Sequence, residues 1–108
     1  MGLFALHLRQ SCLAALACSA IAPPAAADLA LATARNCMSC HAMDRKVVGP
    51  AFKDVAAKYK DDQGAADRLA TKILKGGSGV WGPVPMPANT QVSEADAKKL
   101  AAWVLSTR

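Results

Sequence analysis

The sequence predicts an all-α fold of about four helices. No segment keeps the alternation of apolar and polar residues that is typical of a strand, and strand-poor alanine, lysine and aspartate are plentiful. Apolar residues instead recur at intervals of three and four, as on one face of a helix. The length of 108 residues suits one domain and excludes a multidomain enzyme.

The first 27 residues predict a secretory signal peptide. Arg9 supplies a basic start, residues 12–22 form an apolar run, and small residues end the segment at Ala27. The run is too short and too interrupted to span a bilayer, which takes about 20 apolar residues. We expect cleavage after Ala27, export to the periplasm, and a mature domain of residues 28–108 without stable membrane insertion.

Cys18 leaves one alternative open, a lipid anchor. Ala-Leu-Ala precedes this cysteine and an Ala/Pro-rich stretch follows it. Alanine stands three residues before Cys18, where lipoprotein signals usually have a larger aliphatic residue, so soluble export is the main prediction.

The first two predicted helices flank the cysteine motif of the mature domain. The first begins near Leu29 and continues into the cysteines. Its shared face consists of Ala30, Ala34, Cys37 and His41. The second is short. Its apolar positions are Phe52, Val55, Ala56 and Tyr59.

The last two predicted helices have clear boundary signals. The third has Asp67 in its first turn, lysines in its last turn and Gly76-Gly77 after it. Its stripe consists of Ala66, Leu69, Ala70, Ile73 and Leu74. The fourth begins after Ser93, with Asp96 completing a capping box. Its stripe consists of Ala97, Leu100, Ala101, Val104 and Leu105.

Residues 76–92 form a long Gly/Pro-rich connection between the last two helices. Loops beyond about 12 to 15 residues in a compact domain are usually functional or disordered. Trp81, Val84 and Met86 predict a loop that is packed on something. The mature domain has only four aromatic residues for its core, and a domain of this size usually needs a staple such as a disulfide, a metal or a cofactor.

The string Cys37-Met38-Ser39-Cys40-His41 predicts covalent attachment of one haem c. Cysteines three residues apart share a helix face, so both thiols reach the vinyl groups on one porphyrin edge, and the next residue, His41, can bind the iron. The spacing C-x-x-C-H is the attachment signal of c-type haem. Three alternatives fit less well: zinc needs four ligands, a thioredoxin-like site needs a βαβ pattern, and a plain disulfide leaves His41 unexplained.

Met86 is the predicted second axial ligand. His41 is the only histidine of the mature domain, and Met38 and Met43 are tied to the attachment helix. Met86 lies in the long loop, which can carry it to the other face of the ring. A His/Met pair is a known electron-transfer arrangement, and the thioether raises the potential.

Four segments closely resemble the small bacterial class I cytochromes c, specifically the cytochrome c551 (c8) group. They are Cys37-Met-Ser-Cys-His-Ala-Met-Asp44, Val48-Gly-Pro-Ala-Phe-Lys-Asp-Val-Ala-Ala-Lys-Tyr59, Gly79-Val-Trp-Gly-Pro-Val-Pro-Met-Pro87 and Ala102-Trp-Val-Leu-Ser106. The resemblance implies helices wrapped around one covalently bound haem. It also implies thioether roles for Cys37 and Cys40, and axial roles for His41 and Met86.

The same resemblance implies four supporting residues. The Pro50 carbonyl accepts from the histidine ring, Trp81 and Lys72 approach a haem propionate, and Asn89 approaches the methionine sulfur. Here Ala88 replaces a proline that is frequent in the family, and the segment after Met86 is one residue longer.

These residues predict a periplasmic one-electron carrier rather than an enzyme, since His41 and Met86 leave no coordination site free. The alternatives are a haem enzyme or gas sensor in which Met86 dissociates, and a non-haem disulfide or metal module. We expect a monomer that takes electrons from a quinol-oxidising complex and passes them to nitrite reductase or a terminal oxidase. The net charge of +5 does not indicate nucleic-acid binding, because acids interleave with the cations.

Overall fold

A computed structural model describes residues 17–19 and 23–108, and these residues form four α-helices. The predicted signal peptide lies largely outside these residues, whereas Cys18 is described and exposed. The helices are α1 (Pro24–Ala34), α2 (Phe52–Lys58), α3 (Ala65–Lys75) and α4 (Glu94–Ser106), with a short 3-10 helix over Cys37–Ser39. The described residues form two isolated antiparallel bridges and no strand, which confirms the all-α prediction. None of their helices is long and apolar enough to cross a membrane.

α1 differs from the predicted first helix. It begins at Pro24, where the missing N–H of a first-turn proline costs nothing, and it ends at Ala34. Asn36 has a left-handed backbone with φ of 66°, which asparagine tolerates but which cannot continue an α-helix. The prediction of one helix running into the cysteines is therefore wrong, because the motif starts a separate 3-10 turn.

α4 forms the centre of the core and packs against the other three α-helices. Ser93 caps it as predicted, since its hydroxyl accepts from the Asp96 amide at 3.1 Å. Leu100 is 2% exposed, and Trp103 contacts the edge of Phe52 with ring centroids 5.4 Å apart. Trp103 lies outside the predicted stripe, yet it is buried, so the apolar face of α4 is wider than its periodicity indicates.

The long connection after α3 folds back at its base. α3 ends at Lys75, and Gly76 then adopts φ of 72°, a region that favours glycine. Gly77 and Met86 exchange two backbone hydrogen bonds of 3.0 and 2.8 Å. This pairing closes the loop between them and fixes the backbone of Met86 beside the end of α3.

Candidate functional site

A mostly apolar cleft joins the cysteine motif, the long loop and three helices. It has an empty volume of about 1240 Å³, counted out to its open mouth. The helices contribute apolar side chains to its lining. They are Val55, Leu69, Ile73, Ala101 and Val104. Cys40, His41 and Met86 border the same space, so residues 46 positions apart in sequence meet at one cleft.

The His41 ring is held from three sides. Its Nδ1 lies 2.8 Å from the Pro50 carbonyl oxygen, and its plane stacks on Phe52 with centroids 4.9 Å apart and an interplanar angle of 21°. Gly49 closes the third side, because a Cβ there would lie 2.5 Å from His41 Cε1. When the neutral imidazole carries its proton on Nδ1, it donates that proton to the Pro50 carbonyl. Its other nitrogen, Nε2, then has a free lone pair that can bind a metal.

The two cysteines share one short turn. The amides of Cys40 and His41 both donate to the Cys37 carbonyl, at 3.3 and 3.1 Å. Side chains three apart eclipse in a 3-10 helix, so this turn keeps the two thiols on one side as the attachment spacing requires. Both thiols are free and half-buried, and burial raises the pKa of Cys37 above its ordinary value.

Met86 reaches the cleft from the long loop between α3 and α4, far from the cysteine motif in the sequence. It is half-buried, and its paired hydrogen bonds with Gly77 hold its backbone. A Cβ at Gly76 would overlap the Met86 carbonyl oxygen, so the end of α3 and the methionine backbone are in close contact. This contact is possible only with glycine at position 76.

The predicted supporting residues occupy different surroundings. Lys72 is half-buried and lines the cleft, with its chain lying over Gly77, and Trp81 lines the cleft while remaining 41% exposed. The Asn89 amide donates to the Ile73 carbonyl at 2.9 Å and to the Pro87 carbonyl at 3.5 Å. Asn89 is absent from the described lining of the cleft, so its approach to the Met86 sulfur stays a prediction.

Two contacts at the site have no counterpart in the sequence predictions. The periodicity places Phe52 on a helix face but does not indicate its contact with the His41 ring, and no motif marks Gly49. An aromatic residue two positions after Pro50 is a weak signal for ring stacking. Nothing in the sequence around Gly49 indicates the close approach of the imidazole, because that approach depends on the fold of residues 41–50.

The residues at the cleft fit a covalently bound haem. Two thiols on one turn match the two thioether bonds, and an imidazole with its Nδ1 already engaged matches a nitrogen ligand. The methionine supplies a second soft donor, and the apolar lining suits the porphyrin. Fold and site together define a small class I c-type cytochrome.

Comparison with known proteins identifies the family. Residues 29–108 match the Cytochrome c family, so the chain belongs to the cytochrome c family. It therefore carries one covalently bound haem c and transfers electrons through it, as a carrier rather than an enzyme.

The relatives place the chain within the c551 group. It is 56% identical over 88 residues to cytochrome c-552 of Nitrosomonas europaea, covering 82% of this chain and 85% of the relative. It is 53% identical over 85 residues to cytochrome c-551 of Allochromatium vinosum, covering 79% and 90%. The crystal structure of the wild-type Nitrosomonas europaea cytochrome c552 superposes with a TM-score of 0.73, covering 74% of this chain and 99% of that one.

Proposed function

We propose that the protein is a periplasmic electron carrier in which His41 and Met86 bind the haem iron and Cys37 and Cys40 form the thioethers. The observation that carries this proposal is the meeting of His41 and Met86 at one cleft, with the His41 Nδ1 already bonded to Pro50. The bound haem supplies one-electron exchange between ferric and ferrous iron.

The side chains around His41 hold the ligand in place. The Pro50 carbonyl fixes the tautomer and raises the basicity of the ring, while Phe52 and Gly49 limit its rotation. Because the Met86 backbone is also paired, both side chains would be held in position to bind the haem iron. The mostly apolar lining would limit the access of water to these two side chains.

The rim of the cleft supports short-lived docking to a redox partner. Val48 and Val84 line the cleft and are 50% and 62% exposed, so apolar side chains of its lining are open to a partner. We propose that an acidic partner is attracted by the net positive charge, with faster reaction at low salt. A quinol-oxidising complex as donor and nitrite reductase or a terminal oxidase as acceptor fit this chemistry, and the carrier acts as a monomer.

Two methionine variants test the ligation. Met86→Leu removes the sulfur and keeps a similar volume, so the ferric protein should lose the absorption band of sulfur-bound iron. Met43→Leu is the matched control, because Met43 is also half-buried but packs against the core. Met86→His should keep the covalent haem and lower the potential. A band that survives in Met86→Leu, or unmodified reduced protein that readily binds carbon monoxide, would contradict the proposed ligation.

The attachment and export proposals have separate tests. Cys40→Ala should impair maturation, and normal haem retention in that variant would contradict two thioethers.

We propose that residues 1–27 are removed on export, so the mass of the periplasmic protein should equal haem plus residues 28–108. A diacylglycerol-modified chain starting at Cys18 would instead show a lipid anchor.

A further inference from the structure

Lys58 bridges two aromatic rings from different parts of the chain. It lies in the last turn of α2, and its Nζ is 5.8 Å from the ring centroid of Tyr59 and 5.6 Å from that of Trp81. Both distances fall within the roughly 6 Å over which an ammonium group is attracted to an aromatic face. Since Tyr59 and Trp81 both line the haem cleft, the lysine joins two sides of its wall.

The turn that carries Trp81 has few other attachments. Gly79 and Gly82 have φ values of 99° and 112°, and the Gly79 amide donates to the Gly82 carbonyl at 2.9 Å. Val80 and Trp81, at the tip, are 51% and 41% exposed. Among the described residues, no hydrogen bond joins residues 79–82 to another element. Among the protein contacts of the described residues, the Lys58 contact is therefore a polar link between this tip and the helices.

We propose that Lys58 is a positioning residue that holds Trp81 closed against the mouth of the haem cleft. The inference rests on this cleft being the haem site. A flexible glycine-bounded turn that opened would admit water beside the cofactor. Exposure of a haem to solvent changes its potential, so the lysine acts on electron transfer through Trp81.

Hydrogen exchange of the intact haem protein tests this role. In isotope-labelled protein, the Trp81 indole and the Gly79 amide, which donates to the Gly82 carbonyl, are followed by NMR, with the indole signal assigned through Trp81→Phe. Lys58→Gln should make both exchange about two- to five-fold faster, the factor that corresponds to one exposed cation–π contact. Lys58→Arg should restore the slow rate, because a guanidinium also binds aromatic faces.

Lys60→Gln is the matched control, because it removes the same charge from an exposed lysine two residues further on. The Leu100 amide in the core reports global unfolding. A general loss of stability would accelerate hydrogen exchange at Leu100 as well, whereas loss of the Lys58 contact would accelerate hydrogen exchange only in the turn. Equal rates in the Lys58→Gln and Lys60→Gln proteins, or no rescue by arginine, would overturn the inference. The sulfur band recorded on the unmodified protein keeps this test distinct from that of Met86 ligation.

Discussion

Replacing Gly49 by alanine tests how tightly the fold holds His41. The added Cβ would lie 2.5 Å from Cε1, 2.9 Å from Nδ1 and 3.0 Å from Nε2 of the imidazole, whereas ordinary contact begins at 3.4 Å. The ring must therefore recede by about 0.9 Å to relieve the closest overlap. Phe52 stacks on the ring and resists this movement, and the 2.8 Å bond to Pro50 lengthens if the ring moves alone.

We expect Gly49→Ala to destabilise the haem protein by about 1 to 3 kcal/mol, the usual cost of overpacking. A domain of this size loses about 4 to 8 °C in Tm for each kcal/mol, so thermal unfolding followed by circular dichroism should resolve the change. The potential should rise, because a weaker bond from Nδ1 makes His41 a less basic ligand. Voltammetry measures this second effect independently of stability.

Gly64→Ala is the control for the same chemical change. Gly64 has φ of −88°, and the nearest atom to its added Cβ is the mobile end of Arg68, which can move aside. Its stability should stay within about 1 kcal/mol of the unmodified protein, since alanine also restricts the unfolded chain. If Gly49→Ala matched Gly64→Ala in both Tm and potential, the close packing around His41 would be refuted.

Three further substitutions examine other parts of the fold. Ser93→Ala removes the cap of α4 and should lower the free energy of unfolding by about 1 kcal/mol in a guanidinium titration, with an unchanged slope. Leu100→Ala should cost about 2 to 5 kcal/mol in the same titration, and a loss below 1 kcal/mol would contradict its place in the core. Gly76→Ala forces a side chain onto the Met86 carbonyl at φ of 72°, so the sulfur absorption band should weaken, and an unaltered band would show that the contact is not required.

Local signals explain most of what could be predicted. Ser93 and Asp96 mark the start of α4, and the glycines after Lys75 mark the end of α3, because caps and left-handed terminators act within a few residues. The attachment motif is also local, since Cys37, Cys40 and His41 lie on one turn. The boundary between α1 and that turn could not be predicted, because asparagine is compatible with both helical and left-handed backbone and tertiary packing decides between them.

The amino-acid sequence by itself determined the helical class, the caps and the donor types, all of which depend on residues close together in the chain. Only the tertiary structure decided which atoms meet: the Gly49 backbone against His41, Phe52 between His41 and Trp103, and Lys58 over Trp81. These contacts depend on how α2 and the long loop pack against α4, and packing depends on the shapes of many side chains at once. The donors of the haem site follow from local chemistry, whereas the rigidity of its walls follows from contacts between distant segments.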